Sequence, residues 1–533
     1  MPTTPDSQPA RQRLRYFLIG MLFEILLVSV AFGLPETGLG RAIQSFVQIT
    51  HIPLTLLLQI GGASEFVSLL VVLLMFLVLS GIWGYLIFQV VRWGQRRLAR
   101  FSPRQQKRIR YSLGIASVTV AGAGFACNLP TAPEPFHSTP EIESVVAGNT
   151  SFALDVYRQL KERQGNVFFA PYGISSSLAI AYAGARGRTE SELAKVLHFD
   201  LPQDQLDEAF EALARRMKKI QRWHRITLLP ANSLWGQAGD SFKGAFLNSV
   251  RIKYHAGYHE LDFQHSPTAA VAAINHWASD QTRGKIPSAV NPEQISAQTR
   301  LVVASALYFK GTWKMEFEKQ RTQPAPFYVT TNQTVPVPMM RGTGWFKTTQ
   351  ISEDNVELLE LPYVGQDLSL IILQPPGDHY AQEVPAAMLP EVETQLTCSK
   401  LQTWLRELDR ANPVETSVSL PRFITSQNCD LTPVLKTLGL TSAFDNTADF
   451  SGMDGTMNLF LTSVLHQSFV EINESGTEAA ATTVSHFAAK SISDVFIVDH
   501  PFLFLIRDNG SGSILFFGRI MDPTQQGAVV LQQ

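Results

Sequence analysis

Cysteine is scarce: Cys127, Cys398 and Cys429 are the three in 533 residues, and no CxxC pairs any of them. That excludes a disulfide-built scaffold. Buried free thiols are the default for Cys398 and Cys429, and a disulfide is the alternative. Catalytic signatures are missing too. No GxSxG, HExxH, Walker loop or complete GxGxxG occurs, so an enzyme has no constellation of residues to stand on. The 12 histidines are scattered. His259 in HELD (259–262) has no partners at ligand spacing and reads as surface structure. No metal, no cofactor and no catalytic activity are expected. Charged residues are also sparse, at 17% against 45% hydrophobic. That balance permits a large core and excludes global disorder.

Acidic residues are depleted at one end. Up to Arg110 there are 12 basic and 4 acidic residues; the remainder has 32 and 42. The basic residues flank apolar runs at 16–34 and 66–91, each long enough for the roughly 20 residues a helix needs to span a bilayer. Residues 92–110 hold eight basic side chains and no acid, whereas 35–65 has only Arg41 as a basic residue. The positive-inside rule then puts 1–15 and 92–110 in the cytoplasm and 35–65 outside. A basic block also suits a nucleic-acid arm, but its place between apolar runs points to the lipid bilayer, with no nucleic acid. Residues 111–127 follow KRIR, are Gly/Ala-rich and end at Cys127. They read as a lipoprotein-like signal with Cys127 as lipidation site, or as a third span. Either puts the rest outside the cytoplasm: a linker at 128–145, a globular part at 146–523 and a tail at 524–533.

The globular part mixes helical spacing (151–163, 188–197) with strand patterns (301–313, 356–363, 368–376) and has no regular βαβ succession, which indicates α+β. NVFFAPYGISSSLAIAYAGARGRTESELAKVL (166–197), WASDQTRGKIP (277–287), ALYFKGTWKMEFEKQRTQPAPF (306–327), the 420–453 block, LTSVLHQSFVEINESGTEAAATT (461–483) and FIVDHPFLFLIRDNGSGSILFFGRIMDP (496–523) occur in order. Together they resemble the serpin family. The resemblance implies three β-sheets, about nine helices and an exposed reactive loop that enters the central sheet as an extra strand. Strand addition of this kind is a general mode of recognition, and serpin loop insertion is itself a standard example.

NESGTEAAATTVSHFAAKSISD (473–494) is the segment in question. Taken alone, Thr477–Thr483 reads equally as a surface helix. Side chains of a strand alternate faces. Thr477, Ala479, Ala481, Thr483, Ser485 and Phe487 make one uncharged phase; Glu478, Ala480, Thr482, Val484, His486 and Ala488 make the other. Gly476 supplies a flexible pivot. By resemblance, Glu474, Gly476 and Thr477 through Thr483 (Glu478, Ala479, Ala480, Ala481, Thr482) form the hinge of an inhibitory serpin, and the reactive bond is Lys490–Ser491. Lys490 is the single Lys or Arg between Glu474 and Asp499. A cation there suits a trypsin-like serine protease, whose specificity pocket holds a carboxylate.

The resemblance also implies a sheet-opening region at Trp313, Ser305 and His466. The family's usual serines are replaced by Ala170 and Gly173, and its asparagine by Ser305, so either Ser305 partners His466 or the sheet opens differently. Arg215, Lys218, Lys219 and Arg222 share a helical face that reads as solvated or as binding a sulfated polysaccharide. The expected function is suicide inhibition of a trypsin-like protease through a covalent complex. The alternatives are a non-inhibitory or substrate-like serpin and a cross-class inhibitor of papain-like cysteine proteases.

Overall fold

The computed structural model describes residues 136–525 except 163, 224–225, 287, 378–388 and 478–493. The two apolar runs, the basic loop and Cys127 lie outside the described residues, as do Glu478 to Thr483, Lys490 and Ser491. Among the described residues no helix is long and apolar enough to cross a membrane.

The described part begins with α1 (Pro140–Leu160), started by Thr139, whose side chain caps Ile142 N–H, and by Pro140, whose missing N–H costs nothing there. Then come β1 (Val167–Phe169), α2 (Pro171–Gly184), α3 (Gly187–Leu197), α4 (Gln203–Trp223), β2 (Thr227–Gln237), α5 (Gly244–Ile252), β3 (Gly257–Leu261), α6 (Pro267–Gln281) and β4 (Leu301–Thr312). A strand-rich middle follows: β5 (Gln323–Thr330), β6 (Gln333–Ile351), β7 (Val356–Pro362) and β8 (Leu368–Gln374). After α7 (Leu389–Gln395) and α8 (Cys398–Arg410) come β9 (Val414–Pro421), β10 (Phe423–Asp430), α9 (Thr432–Leu438), α10 (Ser451–Asp454) and β11 (Leu461–Asn473). The chain closes with β12 (Gly476–Thr477), β13 (Asp494–Ile497), β14 (Phe502–Asp508) and β15 (Ile514–Ile520).

The strands fall into the three expected sheets, two of which are joined through β6. Its 19 residues pair first with β5 and β9 and then, from Lys347, with β7. Two sheets thereby become one ladder, β1-β15-β14-β8-β7-β6-β9-β13 with β5 on the side. The other sheet has the order β10-β11-β12-β4-β2-β3. Between them runs α2, buried along every residue but Ala183 and packed against β4, β2 and β15. A helix apolar all round belongs inside a core. Its Ser176 and Ser177 hydroxyls donate to the carbonyls of Gly173 and Ile174, so they add no unpaired polar group. Cys398 and Cys429 are not joined in a disulfide.

Candidate functional site

β4 and β11 lie side by side and parallel, paired from Leu301–Leu461 to Tyr308–Phe469. Beyond Tyr308 and Phe469 the short β12 lies antiparallel to both. It pairs Thr477 with Ile472 on one side and with Gly311 on the other. Gly476 has φ +132°, and a Cβ there would come within 2.1 Å of Gly311 O, so only glycine fits.

The turn into β12 is held on every side. Trp313 Nε1–H donates to Asn473 O at 2.9 Å, and its ring stacks on Tyr363 with centroids 4.5 Å apart. Trp313 N–H donates to Ser475 O and Phe317 N–H to Glu474 O. The Glu474 carboxylate is 2% exposed. It accepts from the Thr322 hydroxyl at 2.8 Å and is ion-paired with Arg422. Burial pushes its pKa up, but the Arg422, backbone and Thr322 hydrogen bonds outweigh burial and hold it below the usual carboxylate range.

Inside the seam His466 is fully buried. Ala170 N–H donates to its Nε2 at 3.0 Å, and Ser305 Oγ lies 2.9 Å from its Nδ1. Burial holds its pKa down to about 3, so the ring is neutral. On the opposite face Tyr308 and Phe469 stack across the seam, with Arg283 over one ring and Lys285 over the other. Further down that face, Ala270, Val271, Ile274 and Ala278 of α6 pack against Val302, Ala304 and Leu465. Buried Gln467 has neither amide atom hydrogen-bonded, and the Ser468 hydroxyl is likewise unpaired. A buried polar group left without a partner costs ~1–3 kcal/mol.

Elsewhere, Arg215, Lys218 and Lys219 are exposed on α4 while Met217 and Ile220 are buried. Arg215 pairs with Glu211 at 3.3 Å. Their neighbour Arg216 turns inward instead, doubly bonded to Asp508 and bonded to Asp367. His259 stacks on Trp235 with centroids 4.3 Å apart. Among the described residues no group of three His, Cys, Asp or Glu could hold a metal.

Residues 147–523 match the family described as Serpin (serine protease inhibitor). The chain belongs to the serpin family. The leukocyte elastase inhibitor of Sus scrofa is 39% identical over 386 residues, 72% of this chain and 100% of the relative. That of Homo sapiens is 38% identical over 387 residues, again 72% and 100%. Among solved structures, maspin matches with TM-score 0.65 and 29% identity, covering 72% of this serpin and 100% of maspin. Uncleaved ovalbumin gives TM-score 0.63 at 28% identity, covering 71% and 100%.

Sequence reasoning missed Arg422, Thr322, Arg283 and Lys285. Each meets the seam only through tertiary contact, and no local pattern announces it. The Ala170 contact was missed because it runs through the backbone.

Proposed function

We propose that this serpin is a suicide-substrate inhibitor of trypsin-like serine proteases with its reactive bond at Lys490–Ser491. One observation carries the reading: two parallel strands parted at one end by a two-residue strand antiparallel to both. If β12 grew downward one residue at a time, Thr483 would come opposite His466 on one side and Ser305 on the other. Those two already face each other across the seam, so two independent registers converge. The uncharged phase would then face the inner core, and Ala480 would fall level with Phe469 and Tyr308, where a small side chain is needed.

The protease serine attacks the Lys490 carbonyl and expels the amine of Ser491, leaving an acyl-enzyme. The freed loop inserts before water completes hydrolysis, travelling about 33 Å between the levels of Thr477 and Phe487. One parallel ladder gives way to two antiparallel ones, with about ten added backbone bonds at ~1 kcal/mol net each. Disrupting the triad and oxyanion hole forfeits on the order of 10⁶ in rate, or ~8 kcal/mol, so insertion has enough driving force.

A second reading follows from the relatives named as leukocyte elastase inhibitors. Ala488 and Ala489 directly precede Lys490, and an elastase-type pocket takes small side chains. Incubation with trypsin, elastase and papain tests both readings. An SDS-resistant adduct with trypsin, releasing a fragment that begins at Ser491, supports the first. Release of a fragment beginning at Lys490 or Ala489 by elastase supports the second. Cutting with no adduct makes the chain a substrate-like or non-inhibitory serpin. Membrane anchoring through 16–127, with the serpin domain outside the cytoplasm, belongs to the same reading. Mass spectrometry at Cys127 and protease shaving of intact cells check it. Polyanion binding on α4 is checked by trapping rates with and without heparin-like polymer.

A further inference from the structure

β13 is a short edge strand, and its hold on the sheet is correspondingly slight. Among the described residues it pairs with β9 alone, from Asp494–Thr416 to Ile497–Ser419, and Asp494 and Val495 are exposed. Elements with few buried contacts are the first to open. A side chain from another strand holds its far end. Gln374, the last residue of β8, is fully buried, and its Nε2–H donates to Ile497 O at 2.9 Å.

The same Nε2 donates to Glu357 Oε1 at 2.6 Å, across the β7–β8 register that sets the two residues side by side. Two acceptors, a carbonyl and a carboxylate, therefore fix which end of the amide is nitrogen. Gln374 Oε1 is left buried with no hydrogen-bond partner. An ionised carboxylate has no donor to offer it, whereas a protonated one has. With Glu357 protonated, its O–H bonds Gln374 Oε1 while Nε2–H keeps its bond to the acid, closing a two-bond acid–amide pair. One proton fills an unmet acceptor and removes a charge from a half-buried place.

The surroundings of Glu357 hold few other charges. Gln350 of β6, its partner in register, is uncharged. The β13–β14 connection brings Asp499 and fully buried His500, whose Nδ1 lies 2.9 Å from Asp499 Oδ1. Burial pushes the Glu357 pKa up, and Asp499 adds to the rise. The Gln374 bond, His500 and the Gly377 N–H oppose it without cancelling it. A raised pKa means that the closed form binds the proton more tightly than the open one. The added hold is thus complete below the ordinary glutamate value of 4.5 and is lost as pH rises through the raised one.

We propose that Glu357, Gln374 and Ile497 form a proton-operated latch on β13: protonated Glu357 locks the Gln374 amide onto the Ile497 carbonyl, and ionised Glu357 slackens it. β13 is the first described strand after β12, so the latch sets how firmly the chain is anchored where it re-enters the sheet. It does not depend on the position of the reactive bond or on the protease.

The test is amide hydrogen exchange of the full chain at pH 5 and 7.5, corrected for the intrinsic rate. It is read at residues 495–498 and at Tyr328, whose N–H donates to Asp499 O. Wild-type protection there should fall about fivefold from pH 5 to 7.5, and the β4–β11 amides serve as the internal control. E357Q keeps the shape and gives Gln374 Oε1 a permanent N–H donor, so it should hold the pH 5 protection at both values. E357L should be poorly protected at both. In a Q374L background, E357Q should no longer alter β13. Wild-type protection that is flat across pH overturns the latch. So does an E357Q chain that keeps the wild-type fall, which would place the titration on His500 or Asp499. A gain spread evenly over all core amides shows general stabilisation and overturns it as well.

Discussion

Ser305 Oγ and His466 Nδ1 stand 2.9 Å apart across the parallel seam between β4 and β11. Because Ala170 N–H donates to Nε2, the ring proton sits on Nδ1 and is given to Ser305. At position 170, where the side chain has no hydroxyl, it is the backbone N–H that meets the ring. Gly173 lies 3.9 Å from the Leu307 Cβ by its own missing Cβ, a packing position.

Ser305→Ala leaves that buried N–H without its partner, at a cost of ~1–3 kcal/mol. The native form should melt several degrees lower. The cleaved form should lose less, because the Thr483 hydroxyl arrives opposite His466 in the proposed inserted register. Differential scanning of both forms measures this, and equal losses would count against Thr483 taking that place.

Acid should loosen the seam. An unfolded histidine takes up its proton near pH 6.5, whereas buried His466 does so only near 3. Its contribution is therefore fully present above pH 6.5 and is lost progressively as pH falls toward 3. At pH 5 the loss is about 2 kcal/mol at 1.36 kcal/mol per unit. Melts at pH 7.5 and 5 check the size, and the His466 ring signal in NMR should stay put between those values. A ring that titrates near 6.5 would refute the neutral buried imidazole.

The fold was readable because its signals are local and repeated. The strand patterns at 356–363 and 368–376 became β7 and β8, and 188–197 became α3. The joining of two sheets was not readable, since nothing in β6 marks where its partner changes from β9 to β7 at Lys347. The same limit applied at the seam. His466 and Trp313 stood out through resemblance, but Arg422 is 52 residues from Glu474 and Lys285 lies far from Phe469 in sequence. Pairing across such distances leaves no spacing to detect.

Glu474 should act as a brake on the hinge. Glu474→Gln removes the charge that Arg422 and Thr322 hold while keeping the shape, so the bonds weaken from charge-assisted to neutral. Arg422 is 43% exposed at its side chain, which water partly compensates, so about 1 kcal/mol is expected. Spontaneous loss of trapping activity on mild heating should accelerate several-fold, with cleavage at Lys490 unchanged. A variant as long-lived as the wild type would remove Glu474 from control of the hinge.

The register itself is exposed to a two-position test. Thr483→Arg sets a cation on the inward phase beside His466, in a core with no carboxylate to meet it. An unpaired buried charge costs several kcal/mol, comparable to the ~10 kcal/mol that added backbone bonds supply. Insertion should stall, so the protease cuts at Lys490–Ser491 and leaves, without an adduct and without a gain in melting temperature. Glu478→Arg puts the same charge on the opposite phase, level with half-buried Glu471 on one side and Lys310 on the other, where water reaches it, and trapping should persist. If Thr483→Arg still traps while Glu478→Arg does not, the phases are reversed and the strand does not continue the ladders of β12.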